Sequence, residues 1–246
     1  MSRVQSTDDI LLSVVVPAYN EAATIEAVLR QLREVPLRLE VIVVDDASTD
    51  GTGAILDRLA CEAGLVQQVI RHPTNRGKGA ALRSGIAAAT GQVIVAQDAD
   101  LEYDPAELPA LLRPIREGKA DAVYGSRFQG GPHRVLFFWH AVGNNFLTLV
   151  SNMFTNLNLT DMETCYKVVR ADLLKRLPLR SERFGIEVEL TARLAQAGAR
   201  IWELPITYSG RTYAEGKKIT WRDGVAALFH VIRYNVFAPG GQWRTR

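Results

Sequence analysis

Residues 93–102 read Val-Ile-Val-Ala-Gln-Asp-Ala-Asp-Leu-Glu, an apolar run that ends abruptly in acidic residues. The run Val93–Ala96 is typical of a buried strand, and Asp98, Asp100 and Glu102 follow it at alternating positions. Carboxylates this close repel one another and raise one another's pKa unless a cation gathers them. Because Mg²⁺ binds proteins through one or two carboxylates together with substrate phosphates, the pattern favours a diphosphate held through a metal over a solvated turn.

Strand-like and helix-like segments alternate upstream of this stretch. The predicted strands are Leu11–Val16, Val41–Val44, Leu65–Ile70 and Val93–Ala96, and the predicted helices between them are Glu21–Leu32, Gly53–Ala63 and Ala80–Ala89. Continuous apolar strands separated by helices predict an α/β fold with a mainly parallel sheet flanked by helices. Ligands of such sheets gather at the carboxyl ends of the strands, so the loops that follow the strands are the candidate site.

Three of these loops carry polar residues suited to a nucleotide. In Pro17-Ala18-Tyr19-Asn20-Glu21 the ring of Tyr19 is placed to stack on a base, and no Gly-x-Gly-x-x-Gly run is present, which disfavours a nicotinamide or flavin enzyme. Asp46, after the second strand, is suited to accept hydrogen bonds from a base or a ribose. Asn75–Gly79 places Lys78 between glycines at a helix start, a cationic approach to an anion without P-loop spacing. Ordinary turns and helix caps are the alternatives.

Composition narrows the class of protein. The 246 residues are 47% hydrophobic and 23% charged, which fits one large α/β domain and argues against disorder. Cys61 and Cys165 lack metal-ligand spacing and favour a reducing cytoplasm. The first residues lack the apolar core of a signal peptide, so the chain is expected to stay on the side of synthesis. A net charge of +2 argues against binding of nucleic acid.

Two regions in the second half of the chain indicate possible anionic or lipid ligands. Residues 211–246 hold seven Lys or Arg against two acids, which suits an anionic ligand or lipid surface, although a solvated helix face is an alternative. Residues 135–160 contain no Asp, Glu, Lys or Arg, but five asparagines make a membrane span implausible. An interfacial surface that shelters a lipid chain is expected there, with core burial or a dimer interface as alternatives. Its predicted members are Phe137, Phe138, Trp139, Phe146, Leu147, Leu149, Val150, Met153 and Phe154. The helix near Trp221–Phe237 has one apolar face and is expected to dock on anionic lipid.

Four motifs in order resemble family 2 glycosyltransferases with the GT-A fold, and within them the polyprenyl-phosphate (dolichyl-phosphate) sugar synthases. The motifs are Val-Val-Val-Pro-Ala-Tyr-Asn-Glu (14–21), Val-Val-Asp-Asp-Ala-Ser-Thr-Asp-Gly-Thr (43–52), Asn-Arg-Gly-Lys-Gly-Ala-Ala (75–81) and Gln-Asp-Ala-Asp-Leu-Glu (97–102). Gly125–Phe128, Asp161–Lys167 and Gly210–Lys218 extend the resemblance over about residues 10–235. It implies a GT-A domain over 10–210, with a basic extension over 211–246 that faces acceptor and membrane and contributes C-terminal interfacial helices.

The resemblance also implies roles for individual residues. The nucleotide-binding residues would be Pro17, Tyr19, Glu21, Asp46, Lys78 and Asp98. The ligands of Mg²⁺ or Mn²⁺ would be Asp98, Asp100 and Glu102. The catalytic residues would be Asp100, Arg127, Arg211 and Lys217, of which the last three hold anionic phosphates. One departure is Glu102, since mannosyl-transferring relatives commonly have Gln there; the extra carboxylate is expected to strengthen metal binding.

The implied activity is metal-dependent, inverting transfer of a hexose, glucose or mannose, from a UDP- or GDP-sugar to a polyprenyl phosphate. The enzyme would be peripheral on the cytoplasmic face of the membrane, and an integral-membrane partner is a reasonable expectation. A phosphate monoester needs no strong general base, because its second pKa is near 6. A hydroxyl acceptor would need one, and Glu187 or Glu189 are the candidates, although both also suit an ordinary first helical turn. A non-catalytic nucleotide-sugar-binding protein is the alternative from another class.

Overall fold

The computed structural model describes residues 10–135, 137–183, 185–212 and 221–237, in which helices flank a sheet. The strands are β1 (Leu12–Ala18), β2 (Leu39–Asp45), β3 (Gln68–Arg71), β4 (Val93–Ala96), β5 (Ala122–Ser126), β6 (Lys167–Arg170) and β7 (Ile201–Pro205). The helices are α1 (Ile25–Arg33), α2 (Thr52–Ala60), α3 (Lys78–Ala88), α4 (Leu108–Arg116), α5 (Phe138–Thr155), α6 (Ala171–Leu174), α7 (Ile186–Gln196) and α8 (Trp221–Ile232). A 3₁₀ turn over Pro105–Glu107 precedes α4, and a π-helical turn over Arg233–Phe237 continues α8.

The sheet is mainly parallel, as the sequence predicts. Its seven strands run in the order β3-β2-β1-β4-β6-β5-β7. β6 lies antiparallel between β4 and β5, and the remaining neighbours are parallel. The predicted βαβαβαβ order of the first half is confirmed, while β3 begins at Gln68 rather than at Leu65, whose side chain is buried in the preceding turn. The order β2-β1-β4 brings three strand-end loops side by side.

Alternation along β1 fills a core on each face of the sheet. Val14 and Val16 join one buried cluster and Val15 joins the other. On the first face, α1 presents the fully buried residues Ile25, Val28, Leu29 and Leu32, at the spacing of one helical face. Burying an aliphatic side chain of this size stabilises the fold by about 1.5–3 kcal/mol. The two cores therefore fix the strand ends and the loops that leave them.

A smaller core joins the last helices. Leu147 of α5, Val188 of α7, and Ala227 and Val231 of α8 pack together with Met162. This cluster sets α5 and α8 against α7, so that the second half of the chain closes one side of the sheet's carboxyl edge. No helix in the described ranges is long and apolar enough to cross a membrane.

Candidate active site

The loops after β1 and β2 are joined directly by hydrogen bonds. The Asp46 amide donates to the Ala18 carbonyl at 2.8 Å, and the Thr49 amide donates to Asn20 Oδ1 at 2.8 Å. Pro17 is the sixth residue of β1, and Tyr19, 41% exposed, follows the strand. The predicted convergence of these loops at one edge is therefore present, with an aromatic ring at its surface.

Asp46 is buried and organises the loop before α3. Its carboxylate accepts from the Arg76 amide at 3.0 Å and the Gly77 amide at 2.7 Å, and His72 Nδ1 lies 2.6 Å from Oδ1. Gly77 has a φ of +91°, and a Cβ there would lie 2.5 Å from the Glu182 carbonyl oxygen. The glycine-rich loop is thus held between a carboxylate and a neighbouring backbone segment. A contact of Asp46 with base or ribose remains a prediction.

The three acidic residues after β4 are divided between two cations. Lys78 Nζ, at the start of α3, lies 2.8 Å from Asp98 Oδ1. Arg211 Nη2 lies 2.6 Å from Asp100 Oδ2, and its backbone N–H donates to Glu102 Oε1 at 3.0 Å. The same guanidinium reaches Glu21, with Nη1 3.8 Å from Oε2. Arg211 therefore gathers three carboxylates from two loops.

Both carboxylate oxygens of Glu102 accept hydrogen bonds. Its Oε2 accepts from the Tyr208 hydroxyl at 2.8 Å, and Oε1 accepts from Arg211. Among the residues that the structure describes, no three His, Cys, Asp or Glu side chains are arranged to hold one metal ion. Coordination of one metal ion by Asp98, Asp100 and Glu102 together therefore stays a prediction.

The charge at Asp100 still fits a divalent cation. Burial, together with the carboxylates of Asp98 and Glu102, raises the pKa of Asp100 to about 7. Burial is the largest cause of this shift, and the two neighbouring carboxylates outweigh the opposing effect of Arg211. Two hard carboxylates beside a diphosphate are the donor set that Mg²⁺ and Mn²⁺ accept, so Asp98 and Asp100 fit such an ion.

Arg127, at the end of β5, is held by a carboxylate to which the sequence analysis gave no role. Asp161 accepts from the Arg127 amide at 3.1 Å, from Nε at 2.6 Å and from Nη2 at 2.8 Å. Asn144 of α5 accepts a further bond from Nη2 at 3.2 Å, and the Tyr208 ring centre lies 5.1 Å from the guanidinium carbon. The position of Asp161 in the motif 161–167 was the signal that could have identified it. The guanidinium is fixed in place.

The two candidate bases on α7 differ in their surroundings. Glu189 is fully buried, and its Oε2 accepts from the backbone amides of Arg180 at 2.9 Å and Ser181 at 2.7 Å. It therefore caps a loop, as the ordinary helical alternative expects. Glu187 lies nearer the acidic loop, with Oε1 2.9 Å from the same Lys78 Nζ that pairs with Asp98.

Two predictions fall wholly or partly outside the described residues. Lys217 lies in the segment 213–220, and 238–246 completes the basic tail. The domain boundary between 210 and 211 therefore stays a prediction. The described residue Arg211 lies within the site rather than apart from it.

Large apolar side chains are exposed along α5 and on the end of α8. We call these residues the α5–α8 apolar surface: Phe138, Trp139, Phe146, Leu149, Met153, Phe154, Phe229, Ile232, Val236 and Phe237. Trp139 and Met153 are 77% and 76% exposed, whereas Leu147 is buried in the small helical core. Core burial is therefore not the explanation for most of the predicted interfacial residues. Groups of large exposed apolar side chains often mark interaction sites.

The chain resembles known sugar transferases over almost its whole length. Residues 13–177 match the family described as glycosyl transferase family 2. The undecaprenyl-phosphate mannosyltransferase of Micrococcus luteus is 36% identical, over 94% of this chain and 97% of its own length. The polyprenol monophosphomannose synthase of Mycolicibacterium smegmatis is 29% identical, over 91% of this chain and 86% of its own.

Solved structures share the fold at lower identity. Glucosyl-3-phosphoglycerate synthase from Mycobacterium tuberculosis, solved with Mn²⁺, UDP and glucosyl-3-phosphoglycerate, superimposes with a TM-score of 0.73 at 22% identity. The match covers 97% of this chain and 85% of that one, which supports a GT-A fold. With the family match spanning more than half of its residues, this chain belongs to glycosyl transferase family 2.

Proposed function

We propose that this glycosyltransferase moves a hexose from a nucleotide sugar to a polyprenyl phosphate, with Mg²⁺ or Mn²⁺, at the cytoplasmic face of a membrane. The observation that carries the proposal is the position of α5, because one helix contributes both to an arginine site and to an exposed apolar surface. Asn144 of α5 accepts from Arg127 Nη2 at 3.2 Å, and Trp139 and Leu149 of α5 are exposed. A phosphate at Arg127 would thus have an apolar surface beside it for its lipid chain.

The donor nucleotide is assigned to the edge formed by β1, β2 and β4. Pro17, Tyr19, Glu21 and Asp46 are proposed to line the base and ribose pocket. Lys78 neutralises negative charge at the start of α3, where the glycine-rich loop approaches an anion. Neither UDP nor GDP is favoured by these contacts, and glucose and mannose both remain candidates.

Asp98 and Asp100 are proposed to hold the divalent cation with the diphosphate. Bound there, the ion would act as a Lewis acid that stabilises the departing nucleoside diphosphate. Glu102 orients Arg211 beside these carboxylates through its two bonds to that residue, at 3.0 and 3.2 Å. Arg211 would thereby lie beside the departing diphosphate.

The acceptor phosphate supplies the nucleophile without a base. It is already dianionic at neutral pH, so the protein has to position it and neutralise its charge. Arg127, Arg211 and Lys217 are proposed to hold it, and Asp161 keeps Arg127 in one orientation. In-line attack by the phosphate oxygen on the anomeric carbon inverts the configuration there.

A hydroxyl acceptor is the second candidate, and one observation favours it. Glu187 is buried within reach of Lys78 at 2.9 Å, close to the acidic loop, where a general base for a hydroxyl would be needed. Glu189 is not suited to that role because two backbone amides occupy its carboxylate. The two candidates differ in whether turnover needs a lipid phosphate.

Nucleoside diphosphate release from a panel of UDP- and GDP-sugars with Mn²⁺, with and without a short polyprenyl phosphate, tests the proposal. We expect release from one donor, stimulated by the lipid phosphate, with an inverted product. Release that ignores the lipid phosphate would favour the hydroxyl acceptor and direct attention to Glu187. Binding of donor without any release would indicate a non-catalytic protein.

A further inference from the structure

The segment 161–167 crosses the site, and its side chains are anchored on both sides of Glu163. On the β5 side, Asp161 accepts from Arg127 Nε at 2.6 Å, and Thr164 Oγ1 donates to the Gly125 carbonyl at 2.5 Å. On the β4 side, Cys165 Sγ lies 3.7 Å from the Ala96 carbonyl, and the Tyr166 hydroxyl donates to Gln97 Oε1 at 2.5 Å. Lys167 Nζ donates to the Thr164 carbonyl within the segment. These contacts tie the segment to β4 and β5. The backbone at Glu163 is therefore fixed, and its side chain has a defined position.

Glu163 differs from these neighbours in its hydrogen bonding. Its Oε1 is buried and has no hydrogen-bond partner among the described residues, although the residue as a whole is partly exposed. An unpaired buried acceptor is unfavourable and needs an explanation. Burial and the nearby Glu187 carboxylate raise the pKa of Glu163 to about 7, as expected for a carboxylate that lacks donors.

Glu163 has neighbours in both proposed phosphate sites. Asp161, two residues before it, holds Arg127, the proposed anchor of the acceptor phosphate, at 2.6 Å. Its electrostatic neighbours are Glu187, Lys167 and Arg127, and Lys78 links Glu187 to Asp98 through contacts of 2.9 and 2.8 Å. The transferred hexose has to lie between the acceptor phosphate and the leaving diphosphate. Glu163, with neighbours in both sites, is therefore near the place where that sugar reacts.

Glu163 Oε1, the buried oxygen without a described partner, can bind only some chemical groups of the two substrates. A carboxylate repels the diphosphate and the lipid phosphate, so it calls for a hydrogen-bond donor. Ribose hydroxyls are donors, but the proposed ribose pocket is at Tyr19 and Asp46, on the β1–β2 side. Glu187 Oε2 is a second buried oxygen without a partner in the described part of the chain. Two such acceptors on residues that interact electrostatically suit the hydroxyls of a hexose.

We propose that Glu163 accepts a hydrogen bond from a hydroxyl of the transferred hexose and so contributes to the choice of sugar. This inference rests on the proposed function, which supplies the hexose and its position. It adds a specificity-determining residue to the nucleotide and phosphate groups assigned above. The same contact gives Glu163 Oε1 its missing donor.

Calorimetric titration of the Mn²⁺-loaded protein with a nucleoside diphosphate and with the matching nucleotide sugar tests it. The titrations are run at pH 8, above the pKa of about 7, so that Glu163 is mostly ionised. Glu163→Gln keeps the size of the side chain and removes its charge, so we expect nucleotide-sugar affinity to fall about tenfold, the difference between a charged and a neutral hydrogen bond. Nucleoside diphosphate affinity should stay unchanged. The matched control is Glu107→Gln, because Glu107 Oε2 is likewise buried without a described partner while Oε1 accepts from the Thr207 amide at 2.7 Å. The electrostatic neighbour of Glu107 is Asp104 rather than Glu187 or Arg127.

Donor analogues that each lack one hexose hydroxyl identify the contact. One analogue should bind the wild type and Glu163→Gln equally, since the bond is already absent. Three results would each overturn the inference and leave the proposed function standing. They are equal losses of nucleoside diphosphate and nucleotide-sugar affinity in Glu163→Gln, an unchanged nucleotide-sugar affinity, and the absence of any analogue that binds both proteins equally. Absence of nucleoside diphosphate binding by the wild type would instead overturn the proposed function, and this inference with it.

Discussion

Replacing Asp161 by Asn is expected to destabilise the fold strongly. The carboxylate is fully buried, with 0% side-chain exposure, and three bonds from Arg127 end on it, while the arginine side chain is 16% exposed. Removing one partner of a buried ion pair typically costs about 3–5 kcal/mol, because the other charge is left uncompensated. Asn keeps one acceptor oxygen, and Arg127 keeps some contact with water, so the lower end of about 3 kcal/mol applies. That is a large share of the free energy of unfolding of an ordinary domain.

The chain contains a matched control for this variant. Asp121 accepts from the backbone amide, Nε and Nη2 of Arg200 at 3.0, 2.9 and 2.9 Å, the same three donors that Asp161 receives. Those side chains are 20% and 53% exposed, so solvent screens the pair. Urea unfolding followed by circular dichroism should show a large fall in midpoint for Asp161→Asn and a small one for Asp121→Asn. Equal effects of the two variants would refute the role assigned to burial.

Four further outcomes are expected. Asp100→Asn should remove most turnover while circular dichroism shows an intact fold, and normal turnover would count against its metal role. The pKa of Asp100 in the fold is raised to about 7 from 3.8, so between these pH values the metal-free folded protein binds a proton that the unfolded chain releases. The urea midpoint of unfolding should therefore fall as pH rises from about 4 to 7, and it should fall less in Asp100→Asn. Gly79→Ala places a Cβ against backbone carbonyls and should weaken nucleoside diphosphate binding in calorimetry, whereas Gly143→Ala, with open space around it, should not. Replacing the exposed Trp139 and Met153 by Ser should reduce co-sedimentation with anionic vesicles several-fold; undiminished sedimentation would separate the α5–α8 apolar surface from lipid.

Local pattern was sufficient for the elements that position the donor site. Val93–Ala96 was predicted at its observed bounds, because a short apolar β-branched run between Gly91 and Asp98 is typical of a buried strand. The meeting of loops 17–21 and 46–51 followed from the rule that parallel strands share a carboxyl edge. The helical spacing of Ile25, Val28, Leu29 and Leu32 likewise fixed which face of α1 is buried, although the helix begins at Ile25 rather than Glu21.

Contacts between residues that are distant in the sequence could not be predicted from local pattern. Arg211 meets Asp100 across more than a hundred residues, and no local pattern identifies which carboxylate an arginine will reach. The direction of β6 was equally hidden, since periodicity assigns a buried face but not a parallel or antiparallel partner. The unpaired oxygen of Glu163 depends on what surrounds it in three dimensions, so its sequence motif alone gave it no role.

The insertion of β6 between β4 and β5 constrains how the chain can be made and divided. As synthesis proceeds, one edge of Val93–Ala96 has to wait for Lys167–Arg170, so residues 97–166 emerge before the sheet can close there. Ala122–Ser126 emerges earlier but pairs only with strands that come later. A fragment that ends before Lys167 therefore leaves one edge of β4 and both edges of β5 unpaired, and unpaired strand edges are templates for aggregation. The loops proposed to bind the nucleotide all precede that point, yet they cannot be separated from the chain as a stable minimal module.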